Sequence, residues 1–523
     1  MFCFVETIFI EMAKLKQSKK RRNILVPTIE WQGVHPQGVR CKSDAYYAKL
    51  STRLANLIRE MFGDDPDISD EDIKGIAIAL CAYMEDKING TQIWNSFMAF
   101  YREKYNRFYP FYDVEADDLM DDEPNKPDVR FLLWYNFNRL NPDTMMNPMN
   151  SAIDTMADFI YGILAEEYEL APESEEFVAA VFNAEKYDDV ISIRNMCGWL
   201  IDGAYLTAVF DIESCYEDVY DIFEPYFGGD NSSDFLAYAL KAYIAFNTKI
   251  GPLALTAPKW LGKILELSGD TSLQEIAHNI GAIKTLTLLP FEIKTVTDDG
   301  FTVQNLKGDV MSMSFDPLPE ESWKNVSEGH IMISTLVEYD GKWRINGASS
   351  FTDKPKSLAE SMAEYEQKNT DIEFTYETEV QKNGGSRIGV AGDFKEFSSR
   401  FDMDMAENTT IDKSVKDMST EKNILYFINT DSSISMLPER AAIVAIPGNP
   451  YYDERLATQK AATLLVDDNS TEELRDYLIN ENLLPDARLA GQLPDYEAKE
   501  WFAENAPFLA VLTHSEEVRF NML

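Results

Sequence analysis

The hydrophobic period of this chain changes near Thr285, and that change limits what the chain can fold into. Before it, apolar residues recur at helical spacing. Between Asp67 and Ile88 the residues Ile73, Ile76, Ala77, Leu80, Cys81, Met84 and Ile88 form one stripe. Ser69, with Asp72 three residues on, has the form of a capping box, and acids fill the first turn. Pro127 and Asp128 open DVRFLLWYNFNRL, whose Val129, Leu132, Leu133, Phe137 and Leu140 make a stripe that Phe131, Trp134 and Tyr135 extend nearly all round. That pattern predicts a helix buried on most sides. Ile153, Met156, Ala157, Ile160 and Leu164 mark a third helix. Further helices are expected near 174–184, 187–202, 204–224, 233–247 and 258–267.

After Thr285 the pattern is strand-like. Phe291–Val296 and Phe301–Leu306 are joined through Asp298-Asp299-Gly300, and HIMISTLVEY and KWRINGASSF flank Asp340-Gly341. Asp-Gly between alternating runs predicts a hairpin, because a type I′ turn needs positive φ at both central positions. Two hairpins in so short a stretch suit a small SH3-like β-barrel better than a sandwich. Residues 355–370 read as a connecting helix. Beyond them, Phe374–Val380 and Arg387–Val390 read as a hairpin around Asn383-Gly384-Gly385, and Asn423–Asn429 and Ala441–Ile446 as strands. Ser470 with Glu473 reads as a second capping box, opening a helix that stops before Pro485. The expected fold is therefore α+β and multi-domain. A basic, unstructured leader (1–42) precedes a large mainly helical domain (43–284). A small SH3-like barrel (285–352), a connecting helix (353–372) and a mixed α/β C-terminal domain (373–523) follow.

Charge narrows the function classes. The 523 residues hold 48 Lys and Arg against 89 Asp and Glu, a formal net charge of −41. Such a surface repels phosphate backbones and anionic lipid. The segment from Met12 to Phe62 is the exception, with 11 basic residues against three acidic. Lys14, Lys16, Lys19, Lys20, Arg21 and Arg22 form its tight run, the one place where nucleic acid is expected to bind. The opening MFCFVETIFIE lacks the charge order of a signal peptide, and Met12 looks like the more ordinary start. No stretch of ~18 uninterrupted apolar residues predicts a membrane span. The five cysteines are scattered and none is in CxxC spacing, which fits buried thiols in a reducing compartment.

The sequence carries few chemical motifs. His35, His278, His330 and His514 are far apart in the sequence and read as structural or exposed. GASSF at Gly347–Phe351 resembles a nucleophile elbow only superficially. NGGSRIGVAGDF (Asn383–Phe394) has the glycines of a phosphate loop without its Lys-Ser/Thr, so a turn is the simpler reading. Asp113–Glu123 is rich in acids, but Asp118 and Pro124 stand where a calcium loop needs Gly and Glu. No metal, cofactor or catalytic residue is expected. One polar group stands out: Glu85 and Asp86 at the edge of an apolar stripe, with Asp128 and Arg130 on a very apolar helix. A buried Glu/Asp–Arg pair is the structural expectation, a functional pocket the alternative.

SDAYYAKLS (Ser43–Ser51), IAIALCAYMEDKINGTQIWNSF (Ile76–Phe97), YPFYD (Tyr109–Asp113), DVRFLLWYNF (Asp128–Phe137), LYFINTDSSISMLPERAAIVAIPGNPYYD (Leu425–Asp453) and LINENLLPDARL (Leu478–Leu489) form a set of long apolar and aromatic stretches. Together they resemble a protein family of gut Bacteroidetes classified as a domain of unknown function. The resemblance implies a bacterial, cytoplasmic setting and brings no activity or site residues. The expected function is a non-enzymatic cytoplasmic binding or scaffold protein with a protein partner and no membrane association. The alternatives are a hydrolase or transferase with a carboxylate site around Glu85, Asp86 and Asp128, and a nucleic-acid-associated protein using its basic arm.

Overall fold

Two helices set the frame, α1 (Asp44–Phe62) and α2 (Asp70–Asn89). The capping box forms as expected: Ser69 Oγ accepts from the Asp72 N–H, and the Asp72 carboxylate accepts from the Ser69 N–H. Ile73, Ile76, Ala77, Leu80, Cys81 and Met84 are all buried. The computed structural model describes residues 23–520, apart from 63–67, 116, 118, 121, 142–143, 228–232, 316–323, 325, 353–355, 370–375, 402–419, 432 and 468. The basic run Lys14–Arg22, both candidate starts and part of the acidic Asp113–Glu123 loop lie outside the described residues.

The chain divides into two compact units. One is drawn from Met1–Leu133, Ala152–Asn369 and Ser515–Leu523, the other from Trp134–Ser151 and Thr370–His514. In the first, α1 and α2 are followed by α3 (Ile93–Tyr105), the part of α4 (Lys126–Arg139) up to Leu133, α5 (Ser151–Tyr168), α6 (Glu175–Phe182) and α7 (Val190–Asp202). Then come α8 (Ile212–Phe227), α9 (Ser233–Asn247), α10 (Ala257–Leu267) and α11 (Gln274–Gly281). Val129, Phe131, Leu132 and Leu133 of α4 are fully buried, so the helix is enclosed as its all-round apolar pattern predicts.

The helices give way to a closed barrel of β1 (Lys284–Val296), β2 (Gly300–Gln304), β3 (Val310–Ser314), β4 (Ile331–Tyr339) and β5 (Lys342–Phe351), in the order β1-β2-β3-β5-β4. Every neighbouring pair is antiparallel except β3 and β5, which run parallel and meet at Met313 and Trp343. β1 is long enough to pair with both β2 and β4, and it shifts register between Leu286 and Leu289. Leu289, Phe291, Ile293, Phe301, Val303 and Met332 fill the interior. Asp340 (φ 52°) and Gly341 (φ 68°) take the positive angles of the type I′ turn.

The second unit carries β6 (Ile388–Asp393), β7 (Lys422–Ile428) and β8 (Ile434–Leu437) as an antiparallel sheet ordered β8-β7-β6. Ala391, Phe394, Phe397, Ile424, Tyr426 and Ile428 form its core. No helix among the described residues is long and apolar enough to cross a membrane.

The structure corrects several expectations. Residues 23–42 are not an unstructured leader. Ile24, Val26 and Trp31 are buried, and the Val26 and Ile24 N–H groups donate to Thr52 Oγ1 (2.9 Å) and Asn56 Oδ1 (3.1 Å) on α1. The chain's end belongs to the first unit rather than to the C-terminal domain: Glu516 N donates to Lys249 O, and Arg519 N to Asn247 O. Residues 204–211 are not helical, and α8 begins at Ile212. Tyr376–Lys382 is helix, not strand. Glu377 and Glu379 in its first turn and Lys382 in its last suit the helix dipole. Gly384 and Gly385 (φ 71° and 86°) close that helix, with Gly385 N donating to Val380 O at 2.8 Å. The glycine loop thus follows a helix, which removes the strand-loop-helix context of a phosphate loop. Ala441–Ile443 is a single 3-10 turn, not a strand. Thr471, not Ser470, caps the later helix by accepting from Leu474 N.

Candidate functional site

The three carboxylates picked out in the sequence are all buried, and each has its own set of partners. Asp86, near the end of α2, acts on α3. Its Oδ1 accepts from Thr91 Oγ1 (2.6 Å) and Ile93 N (3.2 Å), and its Oδ2 from Trp94 N (2.8 Å) and Tyr205 OH (2.9 Å). It therefore satisfies two of the open N–H groups at the start of α3, where Gln92 supplies no side-chain cap. Asp128 accepts from the hydroxyls of Tyr83 and Tyr109 and from Asn125 Nδ2. Burial pushes its carboxyl above the usual range, against the lowering effect of those bonds and of the Lys87 charge. Glu85 accepts from Ser174 Oγ and faces His35 Nε2 at 2.9 Å.

Arg130 joins none of the three. Its Nη1 lies 3.5 Å from Asp154 and its guanidinium stacks over the Tyr112 ring at 4.2 Å. The expected buried pair of Arg130 with Glu85, Asp86 or Asp128 therefore does not form, and Arg130 meets the more exposed Asp154 instead. The carboxylates are held instead by the hydroxyls of Tyr83, Tyr109, Thr91, Tyr205 and Ser174, by Asn125 and His35, and by the Ile93 and Trp94 N–H groups.

A different centre gathers around His35. Two 3-10 turns, Gln32–Val34 and Pro36–Gly38, fold the chain tightly on either side of this residue. Positive φ at Gln37 (55°) and Gly38 (65°) turns the backbone, so that Cys41 and the first turn of α1 come back to the imidazole. His35 Nδ1 is 3.7 Å from Cys41 Sγ, 3.7 Å from Asp44 Oδ1 and 3.1 Å from Val39 O. Asp44 Oδ2 accepts from Gln32 Nε2 (2.8 Å) and Cys41 N (3.1 Å), whereas Asp44 Oδ1 is buried and accepts no hydrogen bond among the described residues. The ring packs against Phe177 at 4.7 Å. Burial alone lowers the His35 pKa. Hydrogen bonding to Cys41 and Glu85 more than offsets this and raises it from 6.5 to about 10. In the sequence His35 reads as structural or exposed because no second histidine lies near it. The one local signal was His35, Cys41 and Asp44 within ten residues.

Beside this centre opens a cleft of about 600 Å³ whose lining includes His35, Arg194, Asp202, Tyr216, Tyr238 and Lys241. Arg194 lies on the apolar α7 and is only 9% exposed. Its Nη2 donates to Tyr238 OH at 2.7 Å, and its guanidinium sits over the Tyr238 ring at 4.8 Å. Burial raises the Asp202 carboxyl, and the Lys241 charge opposes that shift.

The family model described as a protein of unknown function (DUF3843) matches residues 25–293 and 346–514. The chain belongs to that family. Both the His35 centre and the cleft fall within the first matched segment, and the unmatched 294–345 covers β2, β3 and β4 with the end of β1 and the start of β5. No curated protein and no solved structure matches the chain.

Proposed function

We propose that this protein is a binding protein that holds a small anionic molecule in the cleft along α7, without turning it over. Arg194 carries the reading. It is a nearly buried cation with no carboxylate partner among the described residues, in a chain of net charge −41. A guanidinium offers five N–H donors in a planar fork, and Tyr238 takes one of them. The rest suit a carboxylate or phosphate, which would repay the desolvation of the charge. Lys241 adds a second positive charge, Tyr216 and Tyr238 add hydroxyls and ring faces, and the volume suits a small ligand. We read the barrel, from its five strands and small size, as SH3-like and as a surface for a protein partner. Among the described residues, the buried free thiols Cys41, Cys81, Cys197 and Cys215 support a reducing, cytoplasmic setting.

Thermal shift followed by calorimetry, with inorganic phosphate, phosphate monoesters and di- and tricarboxylates, tests the reading. At least one of these anions stabilises the protein, and Arg194→Gln weakens that binding about 10–100-fold. Lys241→Gln, at the exposed edge, weakens it about threefold. The proposal fails if no anion binds, or if the Arg194 variant binds as well as the parent chain.

A further inference from the structure

We propose that His35, Cys41 and Asp44 form a binding site for a zinc-class transition-metal ion, with Glu85 holding His35 in place from behind. The donor set decides the ion. Nitrogen, sulfur and carboxylate oxygen together suit zinc and its neighbours, whereas magnesium and calcium take oxygen alone. The spacing also agrees. Zinc bound at ~2.0 Å to nitrogen or oxygen and ~2.3 Å to sulfur in a tetrahedron sets its ligand atoms ~3.3–3.6 Å apart. His35 Nδ1 lies 3.7 Å from both Cys41 Sγ and Asp44 Oδ1, so small side-chain movements close the site. The three ligand atoms lie within 4.8 Å of one another, and all three residues are buried.

Two further observations point to a ligand rather than to ordinary packing. Asp44 Oδ1 is a buried carboxylate oxygen that accepts no hydrogen bond among the described residues, and it lies within 4.8 Å of both the thiol and the imidazole nitrogen. Leaving such an oxygen unsatisfied is costly, and a cation satisfies it. The second is the far side of the imidazole. A metal-bound histidine commonly donates its other ring N–H to a carboxylate, which fixes the tautomer and the ring plane. Here Nε2 is 2.9 Å from Glu85 Oε2, and Glu85 is held in turn by Ser174. Nδ1 is thereby left for the ion, and the Val39 carbonyl accepts its proton when no ion is bound. A divalent ion offsets the charges of the Cys41 thiolate and the Asp44 carboxylate in a closed interior, while the Glu85 carboxylate is held by the His35 and Ser174 hydrogen bonds. Three protein ligands leave a fourth position for water or a ligand atom.

The full-length chain, stripped with a chelator, is titrated with zinc by calorimetry and with cobalt(II) by absorption. One equivalent of zinc is expected per chain. The cobalt form is expected to show a thiolate-to-metal charge-transfer band that Cys41→Ser removes. His35→Gln and Asp44→Asn each weaken zinc more than about 100-fold, and Glu85→Gln weakens it about 10–100-fold with stoichiometry unchanged. Cys41→Ser and Asp44→Asn change few atoms, and far-UV circular dichroism with cooperative unfolding shows whether each variant is folded. The proposal is overturned if the stripped, folded parent chain takes up no zinc. It is equally overturned if folded Cys41→Ser and Asp44→Asn bind zinc like the parent, or if the cobalt complex lacks the thiolate band.

Discussion

Replacing Asp128 by Ala lowers the unfolding free energy by about 3–5 kcal/mol, since it strands two buried hydroxyl donors and an amide at about 1–3 kcal/mol for each donor left unsatisfied. The Tyr83 and Tyr109 hydroxyls lose their acceptor in a fully buried setting, and Asn125 N, which donates to Tyr83 OH at 3.1 Å, loses the far end of its chain of bonds. Asp128→Asn keeps the shape and offers one acceptor and one donor, so it costs only about 1–2 kcal/mol. The two variants also differ from the parent in pH dependence. Burial raises the Asp128 pKa in the folded state, so the folded protein holds that proton more tightly than the unfolded chain. Its contribution is fully present below the unfolded value of ~3.9 and is lost as pH rises through the raised folded value. Denaturant midpoints measured across that window should fall with pH more steeply in the parent than in Asp128→Asn. A parent-minus-variant difference that stays constant with pH would show that Asp128 ionises normally in the fold.

Asp128 also shows how far the sequence could be read. A carboxylate on an apolar helix is visible at once, and burial of Glu85, Asp86 and Asp128 follows from their stripes. Their partners do not. Tyr205 lies 119 residues from Asp86, Ser174 lies 89 from Glu85, and His35 lies 50 from it. Helical period places a residue on a face but does not say which distant element covers that face. Arg194 gave the same signal in VISIRNMCGWLI, a cation inside an apolar run, but Tyr238 comes from α9 and the cleft also draws on residues 33–38 and α8, so neither could be read locally. Turn chemistry was legible where one residue type is required, as at Asp340-Gly341. It was ambiguous where neighbours compete, as at Ser470 and Thr471. Tyr376–Lys382 was misread because seven residues satisfy either period, and only the glycines after it distinguish a capped helix from a hairpin.

Gly347 gives the second large effect, and its cause lies in how β5 meets α9. Its φ is 91°, a conformation that side chains other than glycine rarely adopt. A Cβ added there would stand 2.8 Å from the Ala242 Cβ and 3.3 Å from the Ala239 Cα. The neighbouring Asn346 Nδ2 donates to Ala242 O at 3.0 Å, so the strand cannot back away from the helix without breaking a buried bond. Strain in the backbone and overpacking against α9 each cost about 1–3 kcal/mol, so Gly347→Ala is expected to destabilise by about 2–4 kcal/mol. Gly347→Val, with two more methyl groups in the same contact, should do more damage. Gly75 supplies the comparison. It lies on the exposed side of α2 with nothing within 4 Å of its added Cβ, so Gly75→Ala should stabilise by about 0.5–1 kcal/mol. The same chemical change therefore has opposite signs at the two positions in thermal or denaturant unfolding. Equal effects would mean that β5 and α9 do not approach so closely. The glycine of GASSF is then explained by packing, since a side chain at position 347 would occupy the space that Ala239 and Ala242 already fill.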